Sequence, residues 1–306
     1  MIVKPGLRAA VSALLLITAA WLAAGCGKGG ARERPPAARP ASGKTVAMAS
    51  IAPLAYFTQR VGGDRVEVHM LVPPASNPET FEPKPADLVA LSAARVLVLN
   101  GVNLEYWASG MVDAAHNPDL KVVTTADGLT LLRGDEHGEA GNPHVWVDPI
   151  DAIHQVEKIR DALIEVDPRG ADSYRASAEA LIKDLQALDA EIRSTVATFS
   201  TRSFATQHAT WDYFAKRYGL TQAAVIETKP GMEPSPRDIE GIVNTIKAKH
   251  INAVFAEPQL SPRAAQAVAS EAHIKLLMLN SMGLPPDYDY LKTMRDNLAK
   301  MKEGLG

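Results

Sequence analysis

Two of the eight histidines in this 306-residue chain stand apart from the rest. His144 lies in "GNPHVWVDP", between a polar loop and a short apolar stretch. His208 directly follows the apolar run "SFATQ" and precedes a helical pattern. Imidazole nitrogens are common ligands of divalent metals and can also move protons near neutral pH. A third candidate group is acidic. The stretch "SNPETFEPKPADL" (76–88) carries three prolines and two glutamates just after the apolar run "VHMLVP". Proline fixes φ and removes a backbone donor, so this loop is held more firmly than a plain surface turn requires. Glu79 and Glu82 are the candidates for what the loop presents.

The remaining histidines have plainer readings. His69 falls inside a strand pattern, His154 on a helix and His116 in a polar turn, while His250 and His273 sit at helix ends, where imidazole commonly meets carbonyls. His137 shares the segment "RGDEHGEAGNPH" (133–144) with three acidic residues, a solvated loop able to capture cations loosely. The chain has no H-E-x-x-H helix and no serine or cysteine nucleophile motif, which favours a binding protein over an enzyme. A metal hydrolase is the enzymatic alternative, because two histidines and a glutamate with an open coordination position can activate water.

These residues need elements to position them. From residue 45 the pattern alternates: strands at 45–50, 66–71, 95–100 and 121–125 separated by helices at 53–63, 85–94 and 104–115. The alternation resumes with strands at 203–207, 220–227, 252–257 and 274–280, and helices at 210–219, 235–249, 262–272 and 288–304. Strands separated by helices of this length predict α/β lobes with parallel sheets and crossover helices. Between the two series, Tyr174, Ala178, Leu181, Ile182, Leu185, Leu188, Ile192, Val196 and Phe199 recur mostly in steps of three and four. That spacing predicts one long amphipathic helix, roughly 45 Å at 1.5 Å per residue, able to span both lobes. His208 then follows a strand, and ligands in open α/β sheets bind outside the carboxyl ends of strands.

The chain ahead of residue 45 reads differently. Lys4 and Arg8 form a positive n-region, and "AAVSALLLITAAWL" (9–22) is an apolar h-region shorter than the roughly 20 residues of a membrane span. "AAGC" follows, ending at Cys26, the only cysteine. A lone cysteine after small residues behind an h-region predicts a lipobox with lipidation at Cys26, over a signal segment 1–26. The Gly-, Pro- and Arg-rich stretch 27–44 has no apolar face and reads as a disordered tether. The expected organisation is therefore signal 1–26, tether 27–44, an N-terminal lobe 45–167, a linking helix 168–200 and a C-terminal lobe 201–306. The composition, 46% hydrophobic and 22% charged with a net charge of −3, suits globular lobes and argues against a nucleic-acid partner.

Several segments together carry a resemblance: "NPETFEPKPADLVAL", "VLVLNGVNLEYW", "NPHVWVDPIDAIHQVEKI", "QHATWDYFAKRYGL", "MEPSPRDIEGIV", "VFAEPQLSPRAAQAVASEA" and "YLKTMRDNLAKM". In this order they make residues 46–304 resemble the cluster A-I metal-binding lipoproteins, the substrate-binding proteins of bacterial zinc and manganese ABC importers. The resemblance implies two β/α lobes joined by a rigid backbone helix, with one metal between them held by two ligands from each lobe. Carried onto this sequence, the ligand positions hold Glu79, His144, His208 and Asn280. Glu79 stands where a histidine is usual, and Asn280 where an aspartate is usual. The resemblance further implies zinc or manganese as cargo, with ferrous iron a weaker candidate. Its partners would be a permease and its ATPase, and the mature chain would be a monomer lipid-anchored to the cell membrane or outer membrane. Loss of the aspartate charge should weaken binding of a dication. The alternative is an adhesin-like or altered-solute lipoprotein that keeps the scaffold with a weakened metal site.

Overall fold

The computed structural model describes residues 43–73, 76–132, 141–227, 232–283, 285 and 288–306. The signal segment, Cys26, nearly all of the tether and the 133–140 part of the acidic loop lie outside the described residues. The first lobe is built on β1 (Thr45–Ala49), β2 (Val66–Met70), β3 (Val96–Leu99) and β4 (Lys121–Thr124), all parallel in the order β2-β1-β3-β4. The second repeats that winding with β5 (Ser203–Thr206), β6 (Thr221–Val225), β7 (Ala253–Ala256) and β8 (Lys275–Met278), ordered β6-β5-β7-β8. β3 "VLVL" and β7 "AVFA" are buried at every position. Continuous apolar runs are what parallel strands need when helices cover both faces.

The crossover helices follow local signals in the sequence. α1 (Ala52–Gly62) has proline in its first turn, and Gly63 beyond it takes φ 52°. The other helices of the first sheet are α2 (Pro85–Ala93) and α3 (Ala108–Ala115). The expected start of α3 at residue 104 is replaced by turns over 102–107, opened by Val102 and Asn103 at positive φ. Two helices then lead from one sheet to the other. α4 (Pro149–Val166) is capped by the Asp148 side chain, which accepts from the Ile150 N–H. α5 (Ala171–Val196) buries Tyr174, Ala178, Leu181, Leu185, Leu188, Ile192 and Val196; of the other two residues in the predicted stripe, Ile182 is half-buried and Phe199 is buried beyond the helix end. It is nearer 39 Å than 45 Å long, because Pro168–Gly170 form a separate tight turn where the chain reverses from α4.

The second lobe adds α6 (Asp212–Tyr218), ended by Gly219 at φ 67°, and α7 (Pro236–Ala248), with the Ser235/Asp238 capping box seen in the sequence. α8 (Arg263–Ala272) and α9 (Tyr290–Leu305) complete it. One apolar core runs from the first sheet through α4 and α5 to α6 and α9, and a smaller one lies between the second sheet, α7 and α8. The protein is thus an α/β molecule of two parallel-sheet lobes joined by a helical spine. Among the described residues no helix is long and apolar enough to cross a membrane.

The lobes are also fastened by polar contacts. The Tyr290 hydroxyl donates to the Trp146 carbonyl at 2.6 Å, and the Tyr290 ring meets Phe57 of α1 at 4.8 Å. Arg217 of α6 reaches back to Asp148 at 2.6 Å and to Asp151 at 3.5 Å. Burial, reinforced by the Asp148 charge, pushes the Asp151 carboxyl up to about 6 from its ordinary 3.8, although Arg217 pulls the other way. A carboxyl with a raised folded-state pKa binds its proton more tightly in the folded chain, so this group makes stability fall as pH rises through that window. Denaturant melts of the metal-free chain should show Asp151 costing on the order of 1–2 kcal/mol at neutral pH relative to about pH 4. Asp151→Asn is expected to remove that slope. Asp148→Asn, which takes the cap from α4 and the close partner from Arg217, should instead lower stability by about 1–3 kcal/mol. An unchanged slope in Asp151→Asn would refute the assignment.

Candidate metal centre

The carboxyl ends of both sheets face one cleft. Behind β2, the loop at 76–81 folds into a single tight turn, Pro78–Thr80, capped by the Asn77 side chain, which accepts from the Glu79 N–H at 2.9 Å. The Phe81 ring packs edge-on against Trp107 at 5.3 Å, and Tyr106 donates to the Phe81 carbonyl at 3.0 Å. Prolines, cap and ring contact together hold Glu79 in place. Glu82 is exposed and does not line the cleft. Behind β4 the chain returns at Gly141–His144 and enters a tight turn, Val145–Val147, that is wholly buried. His208 follows β5 by two residues and precedes another such turn, Ala209–Trp211.

These loops bring three side chains to one point. Glu79 Oε1 lies 3.2 Å from His208 Nε2 and 3.4 Å from His144 Nε2. The candidate ligand atoms of all three residues lie within 4.8 Å of one another. The side chains are only 16%, 5% and 7% exposed for Glu79, His144 and His208, and the two imidazoles meet at 5.1 Å, edge to face. The void they line measures about 20 Å³, the size of one ion or water, and Thr210, Gln259 and Ser281 are among the other residues of its wall. Burial alone would raise the Glu79 carboxyl, but hydrogen bonds from His144 and His208 and their charge hold it well below the usual range. Each Nε2 is a donor to the carboxylate while it carries hydrogen, and becomes a lone-pair ligand when a metal takes the hydrogen's place.

Asn280 is not brought into this cluster. Its carboxamide oxygen accepts from the Met282 and Gly283 N–H groups, at 2.9 and 3.0 Å. Its backbone N–H and carbonyl are both held by Asn297 of α9. The residue lines a separate apolar cavity of about 90 Å³ with Met70, Val72 and Met282. The sequence places Asn280 just past the last strand, but the direction of its side chain is set by a turn that the sequence does not announce.

Most of the other histidines keep their plain roles. His69 is exposed beside Glu67, and His154 contacts the Asp127 carbonyl. His116, His250 and His273 occupy left-handed positions near helix ends, at φ of 47°, 52° and 56°. His137 lies outside the described residues.

Supporting residues emerge that the sequence does not single out. Trp146 donates from its indole to the Ser281 carbonyl at 2.8 Å, tying the His144 turn to the second lobe. The buried Glu257 accepts from Thr210 at 2.6 Å, from Gln259 at 2.6 Å and from Ser281 at 3.1 Å, and so orders one wall of the void. Asp212 lies behind the two histidines. Burial raises its carboxyl, against a hydrogen bond from Asn142 and the charge of His144 and His208. Its only sequence-level signal is a spacing of four residues from His208.

Residues 47–304 match the family model for ZnuA, the periplasmic zinc-uptake complex component A. The zinc-binding lipoprotein AdcA of Streptococcus pneumoniae serotype 4 is 30% identical over 281 residues, which are 86% of this chain and 56% of AdcA. The chain therefore spans little more than half the length of that relative. The crystal structure of a zinc-bound ZnuA deletion mutant superposes with a TM-score of 0.79 at 31% identity, covering 86% of this chain and 98% of that one. The laminin-binding protein Lmb of Streptococcus agalactiae, described as bifunctional in adhesion and metal transport, superposes at 0.77 with 29% identity over 86% of this chain and all of Lmb. With the family model matched over 47–304 and the fold shared, this chain belongs to the ZnuA family of zinc-uptake components.

Proposed function

We propose that this protein is a lipid-anchored, extracytoplasmic binding protein that captures a divalent metal, zinc before manganese, and delivers it to an ABC importer made of a permease and its ATPase. The observation that carries the reading is the convergence of Glu79, His144 and His208 from both lobes on one void of ionic size. Two imidazoles and a carboxylate form a recognised zinc set, and an oxygen from water or the wall supplies the fourth position. The same trio suits manganese or ferrous iron when more positions open, so manganese is the competing cargo. Capture requires no nucleophile and no general base. The names of AdcA and ZnuA support zinc, and the n-region, h-region and Cys26 support the anchor.

Release has to overcome the contacts between lobes. Trp146 to Ser281, Tyr290 to Trp146 and Arg217 to Asp148 resist free hinge motion. In this reading the permease separates the lobes by binding the open arrangement better than the closed one, since a partner shifts an equilibrium only by its differential affinity. A second reading, an adhesin-like role on the same scaffold, draws support from the likeness to Lmb. It would lead if the chain bound laminin but no metal.

Calorimetric titration of the purified, metal-stripped chain should show one zinc per chain. Glu79→Ala and His208→Ala are each expected to weaken it about 100-fold or more, beyond what loss of a supporting residue costs. Binding that survives both substitutions would place the metal elsewhere. Because the Asn280 amide is engaged by Met282 and Gly283, Asn280→Ala should leave zinc affinity within about threefold while lowering stability by about 1–2 kcal/mol. A loss of affinity near that of His208→Ala would show instead that Asn280 leaves its turn to ligate.

A further inference from the structure

Resting on the metal-binding reading, we propose that Asn142 is a positioning residue for both imidazoles. It keeps the hydrogen of His144 on Nδ1 and anchors the turn that follows His208, so that both Nε2 atoms face Glu79 before the metal arrives.

Asn142 is fully buried, and all of its polar groups are engaged. Its backbone N–H donates to the Leu132 carbonyl and its carbonyl accepts from the Tyr213 hydroxyl, at 2.8 and 2.7 Å. Its carboxamide nitrogen donates to the Ala209 carbonyl at 2.7 Å and to Asp212 Oδ2 at 3.2 Å. A carbonyl and a carboxylate can only accept, so this end of the carboxamide is the NH₂ group. The other end is therefore the oxygen, and it faces His144 twice. It lies 2.9 Å from the His144 backbone N–H, which donates to it, and 2.8 Å from Nδ1 of the ring. An acceptor at that distance requires hydrogen on Nδ1, which leaves Nε2 as the atom turned to Glu79.

The same side chain acts on the second histidine. Ala209 directly follows His208, and its carbonyl is held by the Asn142 amide across the lobe boundary. Asp212 is fixed in turn by Gln222, whose amide donates to Oδ1 at 3.0 Å. One amide from the first lobe therefore joins the ring of one histidine to the backbone beside the other. Residues that orient ligating imidazoles commonly govern metal affinity by 10–100-fold.

The test compares the purified wild-type chain with Asn142→Ala and with the exchange Asn142→Asp/Asp212→Asn, in which a carboxylate accepts from His144 and an amide on α6 donates to it. Long-range ¹H–¹⁵N spectra of the histidine rings read the nitrogen that carries hydrogen, with and without zinc, and calorimetry reads zinc affinity. Wild type should show hydrogen on His144 Nδ1 in both states, with zinc replacing any hydrogen on the Nε2 that faces Glu79. Asn142→Ala should lose that preference and bind zinc about 10–100-fold more weakly; the exchange should restore the ring state but only part of the affinity, because the carboxylate at 142 no longer donates to the Ala209 carbonyl. Unchanged ring protonation in Asn142→Ala would overturn the inference even if affinity fell, since that loss would be one of folding alone. Failure of the exchange to restore the ring state would also overturn it. A wild-type chain with hydrogen on Nδ1 and no zinc uptake would count against the metal-binding reading and not against the role of Asn142.

Discussion

A carboxylate buried between two imidazoles from opposite lobes is the constraint on which the rest of the structure turns. Glu79 is largely removed from water, and a buried carboxylate without a partner is costly. Here its partners are His144 and His208, which reach it from different directions. Misplacing any of the three by an ångström would leave charge unpaired in a low-dielectric void. The stiff 76–81 loop, the buried turn after His144 and the lobe-to-lobe hydrogen bonds all act to prevent that displacement.

The same rigidity bears on the release step of the proposed function. A hinge would serve in a looser molecule. In this one α4 and α5 share a continuous core with both sheets, and Tyr290 links the last helix to α1 and to Trp146. Large rotations would break packed apolar contacts, which are not continuously deformable. Motion is more cheaply confined to the loops behind the strands. The Asn280 turn, beside the apolar cavity, is itself held by hydrogen bonds with Met282 and Gly283 and by Asn297 of α9.

Much of the fold is legible in the sequence because the strands are continuous apolar runs and the helices carry caps and glycine stops. Ser235 with Asp238, Gly219 and the stripe from Tyr174 to Val196 all do in the structure what their spacing implies. α4 is less legible, since its apolar positions are interleaved with charges that pair across lobes, as Asp151 does with Arg217. The site divides in the same way. Glu79, His144 and His208 are visible because each has a chemically distinctive type at the end of a strand or in a stiffened loop. The roles of Asn280 and Asn142 are not visible, because an asparagine near a strand end can face a metal, cap a turn or support a neighbour. Only tertiary contacts decide which.

Charge balance follows from that division. For a dication held as proposed, Glu79 supplies one negative charge, and Asn280 supplies none where the family's usual aspartate would supply another. The remaining negative charge near the void sits one layer back. Asp212 lies behind the Asn142 amide, and Glu257 lies behind Thr210, Gln259 and Ser281. Coulomb attraction falls as the inverse of distance, so carboxylates behind a polar link hold the ion less tightly than one that touches it. They are also already ordered and hydrogen-bonded, and do not have to shed water when the ion enters. A site of this kind gives up some affinity and keeps its geometry. For the carrier proposed above that is the better compromise, because release would then require displacement of one direct carboxylate rather than two.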